Sequence, residues 1–179
     1  FDDRRLPPQN CERFRHWFRE LNAESATLVF ASAYLNNPAS LFGHTLLRLD
    51  RRGQTEQTRL LAYAVNYVAD DSHSNVLMYA VDGIAGGFEG KYDIQPYYKL
   101  IRTYSDLESR DIWEYRLNLS ELQLQRLLEH LWELRGIRFD YYFFRENCAW
   151  QLLALLEVAD PDLRLSDRFT LWTLPADTI

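Results

Sequence analysis

A change of pattern within residues 143–153 constrains the fold more than any other stretch of the sequence. A polar break, Arg145-Glu146-Asn147, separates an aromatic run from an apolar segment with helical spacing. This spacing predicts a helix that begins at Cys148 and ends near Val158. The first turn of a helix has free backbone N–H groups and the positive end of the dipole, and both favour a thiolate. Cys148 is therefore a candidate nucleophile.

Two more helices are predicted from spacing and capping signals. Apolar residues at i, i+3, i+4 and i+7 predict a helix over Cys11–Leu21, with Asn10 as its N-cap. A capping box of Ser120 with Gln123 opens the clearest helix, over Ser120–Arg135. We expect both helices to pack through one apolar face.

Strands are predicted where β-branched and aromatic residues cluster, at residues 26–34, 44–50, 58–67 and 110–119. The second and third form a hairpin that turns near Gly53. A short helix is predicted at 76–82, and a tightly turning loop at Gly83–Gly90, where the glycine spacing matches no phosphate-binding motif. Phe169 and Trp172 are predicted to anchor the tail. These elements predict one α+β domain, with helices packed against an antiparallel sheet.

Composition excludes several classes of function. The net charge of -6, with arginines interleaved among acids, argues against a nucleic-acid partner, and we interpret the basic residues as a solvated face. No apolar run approaches the roughly 20 residues that cross a bilayer. The cysteines, Cys11 and Cys148, form no CxxC pair, and neither a metal nor a cofactor is predicted. A disulfide between these two cysteines is an alternative to a reactive thiol.

A thiol nucleophile needs a base within hydrogen-bond reach. Of the four histidines, His16 lies on the first predicted helix, His73 lies in a polar loop and His130 lies within a helix. His44 alone stands where a loop meets a strand, and the preceding Gly43 is expected to leave room for substrate. His44 is therefore the predicted base.

The base in turn needs an orienting group. In a hairpin that turns near Gly53, His44 and Asn66 lie at similar distances from the turn, so Asn66 is the first choice and Tyr63 the second.

An oxyanion would be stabilised by the backbone N–H of Cys148, with the Asn147 or Tyr142 side chain as a further donor. A buried cysteine that acts only as a small hydrophobe is the alternative interpretation.

Four stretches of the sequence resemble the bacterial family typified by the N-terminal periplasmic domain of the lipoprotein N-acyltransferase Lnb. They are SAYLNNPASLFGHTLLR at 32–48, YAVNY at 63–67, GGFEGKY at 86–92 and FDYYFFRENC at 139–148. The order of His before Cys is also similar to that of circularly permuted papain-like enzymes, which include lecithin:retinol acyltransferase with its Asn-Cys motif. Ala149-Trp150 departs from that enzyme, which has acidic and His residues there.

The resemblance implies a permuted papain-like fold in which Cys148 is the nucleophile, His44 the base and Asn66 the polar third member. It also implies a periplasmic or other extracytoplasmic location. Residues 1–179 would form a single catalytic domain of a longer protein, which associates with the membrane through segments outside this chain.

Three functions remain open at this point. The first is a thiol acyltransferase, in which Cys148 takes an acyl group from a lipid or lipoprotein ester and passes it to an amine. Gly83–Gly90 and the aromatic run Tyr141–Phe144 would then line an acyl groove, although such runs more often pack in a core. The second is a cysteine hydrolase or amidase that cleaves cell-wall peptide or an ester. The third is a non-catalytic envelope binding or assembly module, in which Cys148 is structural.

Overall fold

A computed structural model of the chain describes residues 10–35, 40–70, 83–169 and 171–179. Its strands, in chain order, are β1 (Ala23–Ala31), β2 (His44–Arg51), β3 (Tyr63–Asp70), β4 (Phe88–Pro96), β5 (Ile112–Arg116) and β6 (Phe139–Tyr141). They form one sheet in the spatial order β5-β1-β2-β3-β4-β6. Every neighbouring pair in this sheet is antiparallel.

Helices flank this sheet. In chain order, the α-helices that lie wholly within the described residues are α1 (Glu12–Leu21), α2 (Tyr97–Ile101), α3 (Glu121–Glu133) and α4 (Cys148–Ala159). The α2 helix continues into a π-helical segment, Arg102–Leu107. Short 3-10 turns lie at Arg59–Leu61, Ser166–Arg168 and Pro175–Thr178. The predicted α+β class is confirmed. Within the described residues, no helix is long and apolar enough to cross a membrane.

The two faces of the sheet carry separate cores, because successive side chains of a strand point to opposite sides. On one face, Leu47, Leu49 and Val65 pack with leucines of α3 and α4 in the largest buried cluster. On the other face, Leu46 and Ala64 pack beneath α2 in a smaller cluster. The site described below lies at one end of β2 and β3, and its Cys148 belongs to a third buried cluster with Tyr67, Phe88 and Tyr141.

Capping signals predicted one helix start correctly and another incorrectly. Ser120 caps α3 by accepting from the N–H of Gln123, whose side chain accepts from the Ser120 N–H, so the capping box is confirmed. The N-cap of α1 is Cys11, which makes no side-chain cap bond. The predicted cap, Asn10, is wrong, since its amide instead donates to Glu12 Oε1 at 3.4 Å.

The strand predictions err most where tertiary pairing decides the outcome. The predicted strand 58–67 begins only at Tyr63, because residues 59–61 form a 3-10 turn. The predicted glycine loop is partly wrong, since Gly90 lies within β4, where it pairs with Ala69. Both β4 and β6 lack a clear period of two and were missed. The helix predicted at 76–82 lies outside the described residues.

Two arginines contradict the prediction of a wholly solvated basic face. Arg48 is 6% exposed and Arg110 is 5% exposed. Arg48 bridges Asp50 and Glu114, with N–O distances of 2.6 Å to each carboxylate. A buried guanidinium requires such partners, because an unpaired buried charge is costly. These arginines therefore belong to the interior of the fold.

Gly90 allows a close approach between β3 and β4. A Cβ atom at this position would overlap the hydroxyl group of Tyr67, which is fully buried on the same face. The Tyr67 ring is also held by Tyr141, with ring centroids 5.6 Å apart and planes at 13°. The hydroxyl therefore has little freedom to move aside.

We predict that Gly90→Ala lowers the free energy of unfolding by about 1–3 kcal/mol, the usual cost of overpacking a core. Urea denaturation measures the change. The double variant Gly90→Ala/Tyr67→Phe should recover part of the loss, because the atom nearest to the new methyl group is removed. A Gly90→Ala variant as stable as the wild type would contradict the packing described here.

Candidate active site

The pairing between β2 and β3 ends before either strand does. The ladder contains the pairs Leu49↔Tyr63, Arg48↔Ala64 and Leu47↔Val65. Beyond the last of these, β2 continues to pair with β1, and β3 continues to pair with β4. The two central strands therefore separate at this end of the sheet. His44 begins β2 at the opening, and Asn66 lies on β3 just past the last pair.

His44 and Asn66 are in direct contact. The register of the ladder makes them diagonal neighbours on the same face of the sheet. The His44 Nε2 atom lies 2.5 Å from the Asn66 Oδ1 atom. An amide oxygen only accepts hydrogen bonds, so this contact requires a proton on Nε2. The other ring nitrogen, Nδ1, is then available to exchange a proton with a thiol.

Cys148 lies at the opening between the two strands. It is the first residue of α4, follows the N-cap Asn147 and is 2% exposed. Its Sγ atom is 3.9 Å from the hydroxyl oxygen of Thr45, and the Thr45 backbone N–H also donates to it. The start of β2, which pairs with β1 but not with β3, thus supplies two donors to the sulfur.

Cys148 and His44 shift each other's pKa toward an ion pair. Burial is the largest single effect on the pKa of Cys148 and would raise it. The charge of His44, a hydrogen bond from His44 and the two hydrogen bonds from Thr45 together outweigh burial and lower this pKa. Burial likewise would lower the pKa of His44. The charge of Cys148 and hydrogen bonds with Cys148 and Asn66 outweigh burial and raise it. Each group therefore shifts the pKa of the other toward its charged form, a thiolate for Cys148 and an imidazolium for His44.

We predict that alkylation of Cys148 by iodoacetamide rises with pH through a midpoint below the ordinary thiol pKa of about 8.5. The sign follows from the shifts. The thiolate forms above the pKa of Cys148, which is lowered, and the imidazolium that favours it is present below the pKa of His44, which is raised. Peptide mass spectrometry separates Cys148 from Cys11, which is exposed and provides a labelling reference in the same sample.

His44→Ala is the matched variant for this measurement. It removes the partner charge and leaves burial in place, so the midpoint for Cys148 should move to higher pH and labelling at neutral pH should slow several-fold. An unchanged profile in this variant would show that His44 does not activate the thiol.

Asn147 holds the loop before α4 and the tail of the chain together. Its Oδ1 atom caps α4 by accepting from the N–H groups of Ala149 and Trp150, at 3.0 and 3.3 Å. Its Nδ2 atom donates to the carbonyl oxygens of Phe143 and Thr173, at 2.8 and 2.6 Å. Both amide protons are therefore used in the structure as it stands. A role for this side chain in oxyanion binding stays a prediction and would require one of these bonds to open.

The C-terminal tail contacts the loop before α4 through its backbone rather than through an aromatic side chain. Thr173 is 1% exposed, and its N–H donates to the Phe144 carbonyl at 2.9 Å. Trp172 is 60% exposed, so the prediction that it anchors the tail is wrong. Phe169 is half-buried. The tail thus holds the loop that precedes α4.

We predict that Asn147→Ala lowers the free energy of unfolding by about 2–4 kcal/mol, since a helix cap and two hydrogen bonds to inward-facing carbonyls are lost together. Ser120→Ala is the control, because it removes a helix cap on an exposed surface and should cost about 1 kcal/mol. Chemical denaturation measures both. Equal losses in the two variants would contradict the linking role of Asn147.

Other predicted site residues lie farther from the thiol. Tyr63 is at the opposite end of the β2–β3 ladder, and its hydroxyl donates to Glu20 at 3.0 Å. The structure therefore does not bring it to His44. The half-buried Tyr142 packs its ring against Gly86. A substrate contact by Tyr142 stays a prediction.

Two further expectations at this site need correction. The space beside Gly43 is filled, because a Cβ atom there would clash with the Phe30 ring 2.5 Å away, so it is not room for substrate. Gly43 is needed instead for its φ of +87° and for this close contact. The alternative disulfide is not formed, since Cys11 and Cys148 are both free.

Two other histidines within the described residues, His16 and His130, have partners away from Cys148. His16 is exposed and lies 4.0 Å from Glu20 on α1. His130 is on α3, with Nδ1 3.3 Å from Glu133 Oε2. His73 lies outside the described residues.

Three residues at the site were missed by sequence reasoning. Thr45 donates to the sulfur, Tyr104 packs its ring on His44 with centroids 5.8 Å apart, and Arg110 stacks on Tyr104. Thr45 could have been found, because the residue after a strand-end base has its backbone at the same opening. Nothing local marks Tyr104 or Arg110, which reach the site only through the tertiary fold.

The fold and the site together define an α+β domain with a buried Cys–His–Asn cluster at a helix start. The sequence profile described as the Lnb N-terminal periplasmic domain matches residues 13–179, and the chain belongs to this family. It is therefore a periplasmic domain. Comparison with curated proteins and with solved structures gives no match.

Proposed function

We propose that this domain is a thiol-dependent acyltransferase that acts on lipid or lipoprotein acyl esters, with Cys148 as nucleophile, His44 as base and Asn66 as the orienting residue. The observation that carries the proposal is the buried arrangement of Cys148 at the start of α4, beside the start of β2, with His44 Nε2 2.5 Å from Asn66 Oδ1. In this arrangement the pKa of Cys148 is lowered and that of His44 is raised. Perturbed pKa values of paired groups cluster at catalytic sites.

The chemistry proceeds in two half-reactions. The Cys148 thiolate attacks the ester carbonyl and forms a tetrahedral intermediate. The His44 imidazolium gives its proton to the leaving alcohol, and an acyl-thioester remains. An acceptor amine then attacks the thioester, neutral His44 takes a proton from the amine, and collapse releases the amide and restores the thiolate.

The oxyanion of each intermediate would be held by the N–H group of Cys148, at the start of α4. The Asn147 cap uses the N–H groups of Ala149 and Trp150 and leaves that of Cys148 outside its bonds. The positive end of the 12-residue helix adds to the stabilisation.

Burial supports transfer to an amine over transfer to water. Cys148 is 2% exposed and His44 is 9% exposed. A thioester formed in such a site is shielded from bulk solvent, so its lifetime is long enough for an acceptor to bind. The acyl donor and acceptor would approach from the membrane, with association through segments outside this chain.

A permuted papain-like arrangement fits this proposal. The base lies on a central antiparallel strand that precedes the nucleophile helix in the chain, and the polar third residue lies on the next strand. On this view residues 1–179 form one catalytic domain. The likeness supports the proposed roles of the three residues and adds no evidence about the substrate.

We predict that the domain incubated with a phospholipid or a diacylated lipopeptide forms an adduct on Cys148 with the mass of one acyl chain. Cys148→Ala should abolish the adduct, and His44→Ala should slow its formation by at least about 100-fold, the low end for a general base. Intact-protein mass spectrometry detects it. Cys11→Ala is the matched control, because this exposed thiol is outside the site.

The products distinguish the remaining functions. An acylated amine supports the acyltransferase, whereas a free fatty acid or a cleaved cell-wall peptide without acyl transfer indicates the hydrolase. An equal adduct in Cys148→Ala, or none in the wild type with either class of substrate, would exclude the proposed chemistry and favour the binding module.

A further inference from the structure

Large apolar side chains remain exposed on the segments that lead to His44 and Cys148 and on the tail beside them. We call this set the apolar rim. Its members are Leu41, Phe42 and Phe144, each 39% exposed, Leu171, 63% exposed, and Trp172, 60% exposed. Single exposed apolar residues are ordinary, but a group of them on neighbouring segments marks a surface that binds a ligand or a partner.

Phe42 and Phe144 join the base side of the site to the nucleophile side. Phe42 stands two positions before His44, and Phe144 stands four positions before Cys148. Their ring centroids are 5.6 Å apart and their planes are inclined by 61°. Aromatic pairs are stable in this edge-on arrangement. The rim is therefore formed by the two segments that carry the candidate catalytic pair.

The tail adds Leu171 and Trp172 to the rim through backbone hydrogen bonds. The Thr173 N–H donates to the Phe144 carbonyl at 2.9 Å, and the Thr173 carbonyl accepts from Asn147 Nδ2 at 2.6 Å. The residues just before Thr173 are thereby held next to Phe144. A groove of about 220 Å³ lies here, with Leu171 and Trp172 among its lining residues.

The loop that carries Phe42 is also held in place. The N–H groups of Tyr34 and Gly43 both donate to the Ser40 carbonyl, at 2.9 and 3.1 Å. Gly43 in turn packs against the Phe30 ring. The exposed ring of Phe42 therefore belongs to an ordered turn.

The aromatic run 141–144, which the sequence predicts to line an acyl groove, divides between the core and the rim. Tyr141 is buried, and Phe143 stacks on Phe88 with ring centroids 5.8 Å apart. Tyr142 packs against Gly86 and is half-buried. Within this run, Phe144 is the side chain exposed enough to join a surface that meets a substrate.

The position of the rim fits the part of an ester that the catalytic pair does not bind. The acyl chain is bonded to the carbonyl carbon that Cys148 attacks, so it must leave the site across the adjoining protein surface. Hydrocarbon is most stable where it is removed from water against other apolar groups. Phe42 and Phe144 are the apolar surface nearest in sequence to both catalytic side chains.

We propose that the apolar rim binds the acyl chain of the donor ester and that Leu171 and Trp172 set a preference for long chains over short ones. This inference rests on the proposed function for the identity of the bound chain. In the step concerned, the Cys148 sulfur forms a bond to the carbonyl carbon and the bond from that carbon to the alcohol oxygen breaks. The oxygen keeps the electron pair and takes a proton from His44.

The test measures the rim without acyl transfer, by alkylating the whole chain with N-methyl iodoacetamide or N-octyl iodoacetamide at neutral pH. With either reagent a sulfur–carbon bond forms, the carbon–iodine bond breaks, and iodide leaves with the electron pair. Peptide mass spectrometry gives the labelling rates of Cys148 and of the exposed Cys11 in the same sample. The intrinsic reactivity of each thiol cancels in the ratio of the octyl rate to the methyl rate.

This ratio should be about tenfold higher at Cys148 than at Cys11, because each methylene group fully removed from water contributes about fourfold. Trp172→Ala should lower the ratio at Cys148 by about fivefold and Leu171→Ala by about threefold, as apolar contact area is lost. Leu122→Ala is the matched control for Leu171→Ala. Leu122 is 57% exposed on α3, outside the rim, so its removal should leave the ratio unchanged.

An octyl-to-methyl ratio at Cys148 no greater than at Cys11 would overturn the proposal, as would the absence of Cys148 labelling by both reagents. Equal ratios in Leu171→Ala, Trp172→Ala and Leu122→Ala would also overturn it. The proposed function fails separately: if the wild type forms no acyl adduct with ester substrates but keeps the octyl preference, the acyltransferase is excluded and the apolar site beside the thiol stands.

Discussion

The attraction between the Cys148 sulfur and the His44 ring is the interaction on which this site depends. Both groups are buried, and burial alone would keep both neutral. Each shifts the pKa of the other toward the charged form, so the effect depends on the distance between the two side chains. The start of α4, the start of β2 and the part of β3 that does not pair with β2 must therefore be held in a fixed relation.

Two connections supply that rigidity. On the side of the thiol, Asn147 joins the helix start, the preceding loop and the tail through four hydrogen bonds. On the side of the imidazole, Arg110 joins the end of β1 to the π-helical segment beside His44. Neither residue touches the reacting atoms in the proposed chemistry. Both use buried polar groups with satisfied hydrogen bonds, which define geometry better than apolar contacts do.

The separation of β2 from β3 leaves the Thr45 backbone N–H available to donate to the Cys148 sulfur. A continuous ladder would use the Thr45 N–H in strand pairing, whereas the opening directs it to the sulfur. At the same opening, the backbone of Asn66 pairs with β4, and its side chain contacts His44. Hydrogen bonds lost from the sheet are thus replaced by bonds within the site, as a buried backbone requires.

The sequence by itself determined the helix start at Cys148, the capping box of α3, the strand end at His44 and the choice of Asn66, because each depends on local periodicity or on the distance to one turn. Only the tertiary structure determined that β4 and β6 are strands, because their hydrogen bonds come from strands distant in the chain. The tertiary structure also determined the hydrogen-bond partners of Asn147 and the position of Tyr104 beside His44. Those contacts join residues far apart in sequence, and no local pattern encodes which polar groups burial brings together.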